Sequence, residues 1–101
     1  MTVQEFFDAL PERVDPAKTA GMNNTYVFEV ADAGTWTVKV VDGVVEVSDG
    51  AAEDADCTIT ASEETFAKIV AGESNATSAY MTGKLKIAGD MGAALKLQKL
   101  F

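Results

Sequence analysis

Histidine does not occur in the 101 residues, and cysteine occurs once, at Cys57. That removes together the commonest general base, the usual partner of a nucleophilic serine and the commonest metal ligand. A lone cysteine allows neither an internal disulfide nor a cysteine-based zinc site. Cys57 shares an apolar strand face with Ile59, and no base or helix N-terminus adjoins it, so it reads as a buried, inert thiol. Carboxylates alone are left for acid–base work, with no recognisable nucleophile and no glycine-rich phosphate loop beside them. The expectation is a non-enzyme that needs neither metal nor cofactor. The acidic residues scattered through the loops read as solvated surface.

The lysines are distributed unevenly. Residues 1–83 hold fifteen of the sixteen acids against four bases, a formal charge of −11, whereas residues 84–101 hold four lysines against Asp90, a charge of +3. Lys84, Lys86, Lys96 and Lys99 form either an ordinary solvent-facing set or a cationic patch for anionic headgroups and acyl-CoA phosphates. The overall charge of −8 argues against nucleic acid as a partner, since phosphate recognition needs clustered bases. Hydrophobic residues make up 48% and charged residues 24%, the balance of a soluble globular chain. One domain is expected from the length. No apolar run is long enough to span a bilayer and Met1–Leu10 lacks a basic leader, so a cytoplasmic protein is expected.

The elements that position these residues follow from their periods. Val3, Phe6, Phe7, Leu10 and Val14 fall on one face of a helix opened by a Thr2–Glu5 capping pattern, with a kink or restart expected at Pro11. From Thr25 the period becomes two. Tyr26, Phe28 and Val30 alternate inward, then Trp36, Val38 and Val40, with the Asp42-Gly43 hairpin turn leading to Val44–Val47. A polar loop, Ser48–Asp54, precedes a strand at Asp56–Thr60, and four strands on short turns predict an antiparallel meander. Ser62 caps a helix carrying Phe66, Ile69 and Val70 and ending at Gly72. Asn75 opens a short helix to Met81, with Gly83 as its stop. Lys84–Ala88 is a fifth strand with Leu85 and Ile87 inward, and Asp90 caps a last helix to Phe101.

Met81-Thr-Gly-Lys-Leu-Lys-Ile-Ala-Gly-Asp90 resembles the "M-x-G-K-L-K-x-x-G-D" segment of the sterol carrier protein 2 (SCP-2) family. Gly34-Thr-Trp36-x-Val38-x-Val40, Asp42-Gly43, Ala55-Asp56-Cys57-Thr58-Ile59-Thr60 and Phe66 followed by Gly72 occur in the matching order and spacing. The resemblance runs over essentially the whole chain. It implies an α+β fold: a five-stranded, mainly antiparallel sheet with helices packed on one face and an apolar tunnel between the layers. It implies a lipid carrier for sterols, fatty acids, fatty acyl-CoA or isoprenoid-like lipids, or else an accessory module in lipid or quinone metabolism whose tunnel is filled. The chain ends without the peroxisomal tripeptide of many eukaryotic members, which fits a prokaryotic cytoplasm.

On that resemblance Trp36, Val38, Phe66, Met81, Leu85, Ile87, Met91 and Leu95 are candidate tunnel-lining residues, each of which reads equally as ordinary core. Asp56 reads as a residue that starts a strand. In the last helix Met91, Ala94, Leu95, Leu97 and Phe101 span an arc of about 160°, more than the ~100° stripe a single packing face needs. One flank is then expected to meet a ligand or a membrane, unless the helix is wedged between two core elements. Transient contact with an anionic membrane surface through the four lysines is the corresponding expectation about partners.

Overall fold

The computed structural model describes residues 3–13, 16–71, 73 and 76–96. Helix α1 (Val3–Arg13) is followed by the short α2 (Pro16–Thr19) and by strands β1 (Asn23–Ala31), β2 (Gly34–Val41), β3 (Val44–Asp49) and β4 (Cys57–Ser62). Helices α3 (Glu63–Val70) and α4 (Ala76–Met81) then lead to β5 (Leu85–Gly89) and α5 (Met91–Lys96). The chain is α+β, with one five-stranded sheet in the order β3-β2-β1-β4-β5.

The period-two pattern fixes which face is buried. Tyr26, Phe28 and Val30 of β1 lie opposite Val38, Trp36 and Gly34 of β2. On the other side they lie opposite Cys57, Ile59 and Ala61 of β4. Val38 and Val40 face Val47 and Val45 of β3, and Ile59 and Ala61 face Ile87 and Leu85 of β5. All five strands therefore turn apolar side chains to one side, the side the helices cover. There α1 packs on β3 and α3, α3 on β1 and β4, α4 on β5, and α5 on β4 and β5.

The ring of Phe7 holds this layer together. It stacks on Trp36 at 4.7 Å and 18° and on Phe66 at 5.4 Å and 18°, and meets Phe28 and Phe6 at 5.4 Å each. Helix α1 is thus tied to β2 and to α3 by a single side chain, each ring pair adding about 0.5–1.5 kcal/mol beyond area burial. Trp36 Nε1 donates to Gln4 Oε1 at 3.3 Å, which satisfies the indole within the same contact.

Two expectations are corrected. Helix α1 does not stop and restart at Pro11 but continues to Arg13. Proline there gives up only the bond to the Phe7 carbonyl, in a helix already anchored by Phe6, Phe7 and Leu10. The meander extends over β1, β2 and β3 only. Strand β4 pairs with β1, in parallel, so three of the four strand pairings are antiparallel. The loop from β3 to β4 crosses the outer face to get there. Gly50 N–H donates to the Thr35 carbonyl, Thr37 Oγ1 donates to the Gly50 carbonyl at 2.7 Å, and Ala52 N–H donates to Thr37 Oγ1 at 3.0 Å. Val27 and Thr37, which point away from the helices, are buried on that outer face.

Several local signals act as the sequence implies. Ser62 Oγ accepts from Thr65 N–H at the start of α3, and Asp90 Oδ1 accepts from Gly92 N–H at 2.8 Å at the start of α5. Asp42 (φ 46°) and Gly43 (φ 86°) form the β2–β3 turn with both central residues at positive φ. Gly83 (φ 79°) ends α4 with its N–H on the Tyr80 carbonyl and Lys84 N–H on the Ala79 carbonyl, the paired bonds of a Schellman stop. Thr2, Val14, Gly72 and Asn75 lie outside the described residues.

Gly89 is required by space as well as by φ. A Cβ there would run into the Asp56 carbonyl oxygen and lie 2.9 Å from Cys57 Cα, at a φ of 111°. Gly50, at φ 90°, has nothing within 4 Å of the same position. Gly89→Ala is therefore expected to lower stability by about 2–4 kcal/mol and Gly50→Ala by about 1 kcal/mol. Urea unfolding checks the order, with midpoints shifted and slopes unchanged.

Candidate functional site

The inner face of the sheet divides into two halves of different chemistry. Over β2 the Trp36–Phe7–Phe66 stack occupies the space between sheet and helices. Over the starts of β1 and β4 and the end of β5 the residues are smaller or polar: Asn24, Tyr26, Cys57 and Gly89, with α5 packed on β4 and β5. Among its described side chains, α5 buries Ala93 and Ala94.

Hydrogen bonds fix this second half. The fully buried Tyr26 donates its hydroxyl to the Ala93 carbonyl at 2.6 Å, tying the central strand to α5. The Asp56 backbone accepts from Asp90 N–H at 2.8 Å, and its own N–H donates to the Thr25 carbonyl. Asp56 Oδ2 accepts from Thr25 N–H at 2.7 Å, so the carboxylate starts β4 against β1, the role expected of it. Asn24 Oδ1 is the one buried side-chain oxygen or nitrogen without a hydrogen-bond partner that the described residues show. Asn24 lies opposite Val40, in register with the inward-pointing row.

Electrostatics here oppose anions. Burial, reinforced by the Asp56 and Asp90 carboxylates, pushes the Cys57 thiol up from an ordinary 9.0 to about 11. Burial raises Tyr26 well above the usual phenol range, with Cys57, Asp56 and Asp90 adding to it. Both groups are protonated at neutral pH, and the thiol is no nucleophile. Among the described residues no group of three or more histidine, cysteine or acidic side chains is placed to hold a metal.

Of the expected lining residues, Trp36, Val38, Phe66 and Leu85 are buried in one cluster, and Ile87 packs against it half-buried. Trp36 and Phe66 are brought together by Phe7, which lies between them. Met81 is misplaced by the sequence reading. It is 80% exposed at the end of α4, because α4 buries Ala79 against β5 and Met81, two residues on, lies about 200° around the helix. Met91 and Leu95 stand in α5, but their side chains lie outside the described set, as do Lys99 and the rest of residues 97–101. Lys84, Lys86 and Lys96 are exposed and make no ion pair with a described residue. The sequence reading missed Phe7 as a hub, the Tyr26–Ala93 bond and the Asn24 acceptor. Only Phe7 had a local signal, its place on the apolar face of α1.

Among the described residues, open recesses flank this layer. One, about 240 Å³, lies between α1 and β3 and is bounded by Gln4, Phe7, Asp8, Pro11, Val47 and Ser48. Another is a shallow depression at the β1–β2 turn.

The model of the SCP-2 sterol transfer family matches residues 3–101. The chain belongs to that family. Human sterol carrier protein 2 is 41% identical over 80 residues, which cover 74% of this chain and 15% of the human protein. The chain thus spans well under a fifth of that relative's length. The sterol carrier protein domain 2 of Helicoverpa armigera superposes with a TM-score of 0.80 at 28% identity, covering 97% of this chain and 84% of that one. The sec-alkylsulfatase Pisa1 from Pseudomonas sp. superposes with a TM-score of 0.84 at 26% identity, covering 99% of this chain but 16% of the enzyme. The family is a lipid-binding one.

The raised Cys57 and Tyr26 values make stability depend on pH. The unfolded chain loses its thiol proton near the ordinary 9.0 while the folded chain holds it to about 11. Stability is therefore full below pH 9 and falls as pH rises through that window, and the Tyr26 contribution has the same sign. Urea midpoints at pH 7, 9 and 10.5 check this, with Cys57→Ala flattening the decline. Tyr26→Phe is expected to cost about 1–2 kcal/mol and to raise amide exchange in α5 more than in β2.

Proposed function

We propose that the chain is a lipid carrier that holds an apolar ligand between the inner sheet face and the helices, over the Asn24–Tyr26–Cys57 half. Family membership supports lipid binding in general. The observation that carries the finer reading is the buried, unpartnered Asn24 Oδ1 on an otherwise apolar row. A buried acceptor without a donor costs about 1–3 kcal/mol, which a ligand head group with a hydroxyl or amide N–H would recover. The Asp56 and Asp90 carboxylates nearby disfavour an anionic head. Among sterols, isoprenoid-like alcohols, fatty acids and fatty acyl-CoA, a neutral head that donates is therefore the best match. Burying a hydrocarbon tail contributes about 0.8 kcal/mol per methylene, so about ten methylenes give the ~8 kcal/mol of a micromolar complex.

The test is titration of lipid-stripped protein with a long-chain fatty alcohol and its methyl ether, followed by calorimetry. The alcohol is expected to bind with a micromolar Kd and a negative heat-capacity change, and more tightly than the ether. Asn24→Leu should weaken the alcohol about 5–10-fold and leave the ether unchanged. Protein that carries no lipid in native mass spectrometry and binds neither ligand at ~100 μM would overturn the reading.

A second reading, a non-catalytic accessory module with a filled interior, is favoured by the Trp36–Phe7–Phe66 stack, which occupies the other half of the layer. It predicts a stable protein partner together with failure of that titration.

A further inference from the structure

The sheet ends in two edges, β3 on one side and β5 on the other, each unpaired along its outer side among the described residues. Edge strands are ordinarily kept from pairing by charge, proline, a bulge or a covering segment. Strand β3 has neither proline nor lysine, and its register with β2 runs without a bulge. Its first residue, Val44, is 62% exposed, and Val47 is half-buried beside the recess under α1. On β5, Ile87 is half-buried and Ala88 exposed. Val47 and Ile87 both pack on the core without being fully covered by it, and each stands on an edge.

Strand directions let these two edges meet. β3 runs with β1 and β4, whereas β5 runs against them. Two copies in the same orientation, set side by side, therefore bring β5 of one antiparallel to β3 of the next, with both inner faces on one side. The pleat allows only registers that keep inward residues opposite inward residues. In one of these, Leu85 and Ile87 lie opposite Val47 and Val45 on the inner face, while Lys86 and Ala88 lie opposite Glu46 and Val44 on the outer face. A shift of two residues sets Lys86 against Val44 in one direction and Leu85 against Asp49 in the other. Beyond Val44 and Ala88 both chains reach a glycine at positive φ, Gly43 and Gly89, where the strands end.

Charge selects the partner. Lys86 lies opposite Thr60, whose hydroxyl reaches Glu29 one strand further on, and it makes no ion pair with a described residue. Glu46 lies opposite Lys39, also without a described ion pair. Joined edges continue that row as Lys86, Glu46 and Lys39, with alternating sign. Lys84 has Glu63 and Glu64 near it at the head of β5, so the match rests on Lys86. Pairing β3 with β3 of a second copy would instead crowd Asp42, Glu46 and Asp49 of both chains. The net charge of −8 opposes self-association at long range, but within a Debye length of about 10 Å the edge residues decide. We propose that this chain associates head to tail with copies of itself, β5 of one copy extending the sheet of the next along β3. Successive strands twist by about 20–25°, so each copy is turned by roughly 100° from the last and the array stays open instead of closing at two. The association stands whether or not the interior binds a lipid.

The test is sedimentation velocity of the purified chain from about 10 μM to about 1 mM, in about 0.1 M salt. Wild type is expected to show a mass that keeps rising with concentration, without a plateau at two copies. Glu46→Lys alone and Lys86→Glu alone should each weaken association about tenfold, because each sets like charges opposite one another. Mixed in equal amounts, the two variants should associate as wild type does, since the altered β3 of one matches the altered β5 of the other and their unaltered edges still match. Both positions are exposed, and unchanged urea midpoints check that the variants fold. Amide exchange of wild type, which needs no variant, should slow at Val44–Ser48 and Lys86–Ala88 at the highest concentration and stay constant in β1. A wild type that remains monomeric throughout, a plateau at two copies, or a mixture that associates no better than either variant overturns the proposal.

Discussion

Phe7 lies face to face with Trp36 on one side and Phe66 on the other, and the arrangement of the helical layer depends on that sandwich. The contact joins three parts of the chain far apart in sequence: the first helix, the second strand and the helix that follows the fourth strand. It fixes how α1 lies across the sheet, and with α1 the orientation of Gln4, which satisfies the Trp36 indole. Because stacked rings tolerate little sliding, α1, β2 and α3 are held in one fixed arrangement.

The other side of β1 is organised by its parallel pairing with β4. The partnership brings Asp56, Cys57 and Gly89 to one junction, where Asp56 bonds Thr25 through its carboxylate and backbone and receives Asp90 N–H on its carbonyl. The backbones approach so closely that only glycine fits at 89. The approach seats α5 over Tyr26, and the buried hydroxyl reaches the Ala93 carbonyl. The obligatory glycine, the raised thiol and the tied-down helix are consequences of one strand pairing. They also explain why the acidic pair Asp56 and Asp90 colours the electrostatics of an otherwise apolar region.

Much of this was legible in the sequence because it is local. Period-two alternation at Tyr26–Val30 and Trp36–Val40, the Asp42-Gly43 turn, the Ser62 and Asp90 caps and the Gly83 stop each depend on residues within a few positions of one another. Pairing order is different. Nothing within Asp56–Thr60 says whether its neighbour is β3 or β1, since a strand buried on one face reads alike beside either. The only hint was the length of the polar loop before it, longer than a hairpin turn needs and long enough to cross the outer face. Met81 illustrates the same limit. The family resemblance suggested an interior residue there, but which side of a six-residue helix faces the sheet is decided by Ala79 and β5, not by the helix itself. For the candidate site, inward Trp36, Val38 and Leu85 could be read from alternation, whereas the orphaned Asn24 oxygen depends on partners that only the assembled layers supply or withhold.

The Tyr26–Ala93 bond joins residues 67 positions apart. During synthesis the β1–β2–β3 hairpins and β4 emerge first, while β4 has no neighbour on its far edge until Leu85–Gly89 follows. Until Ala93 leaves the ribosome, the nascent chain carries an open strand edge and a phenol with no acceptor in its core. Closure of such long-range contacts is slow, and exposed edges invite pairing with other chains. The interior of this fold is therefore completed last, when β5 and α5 close over β4 and Tyr26.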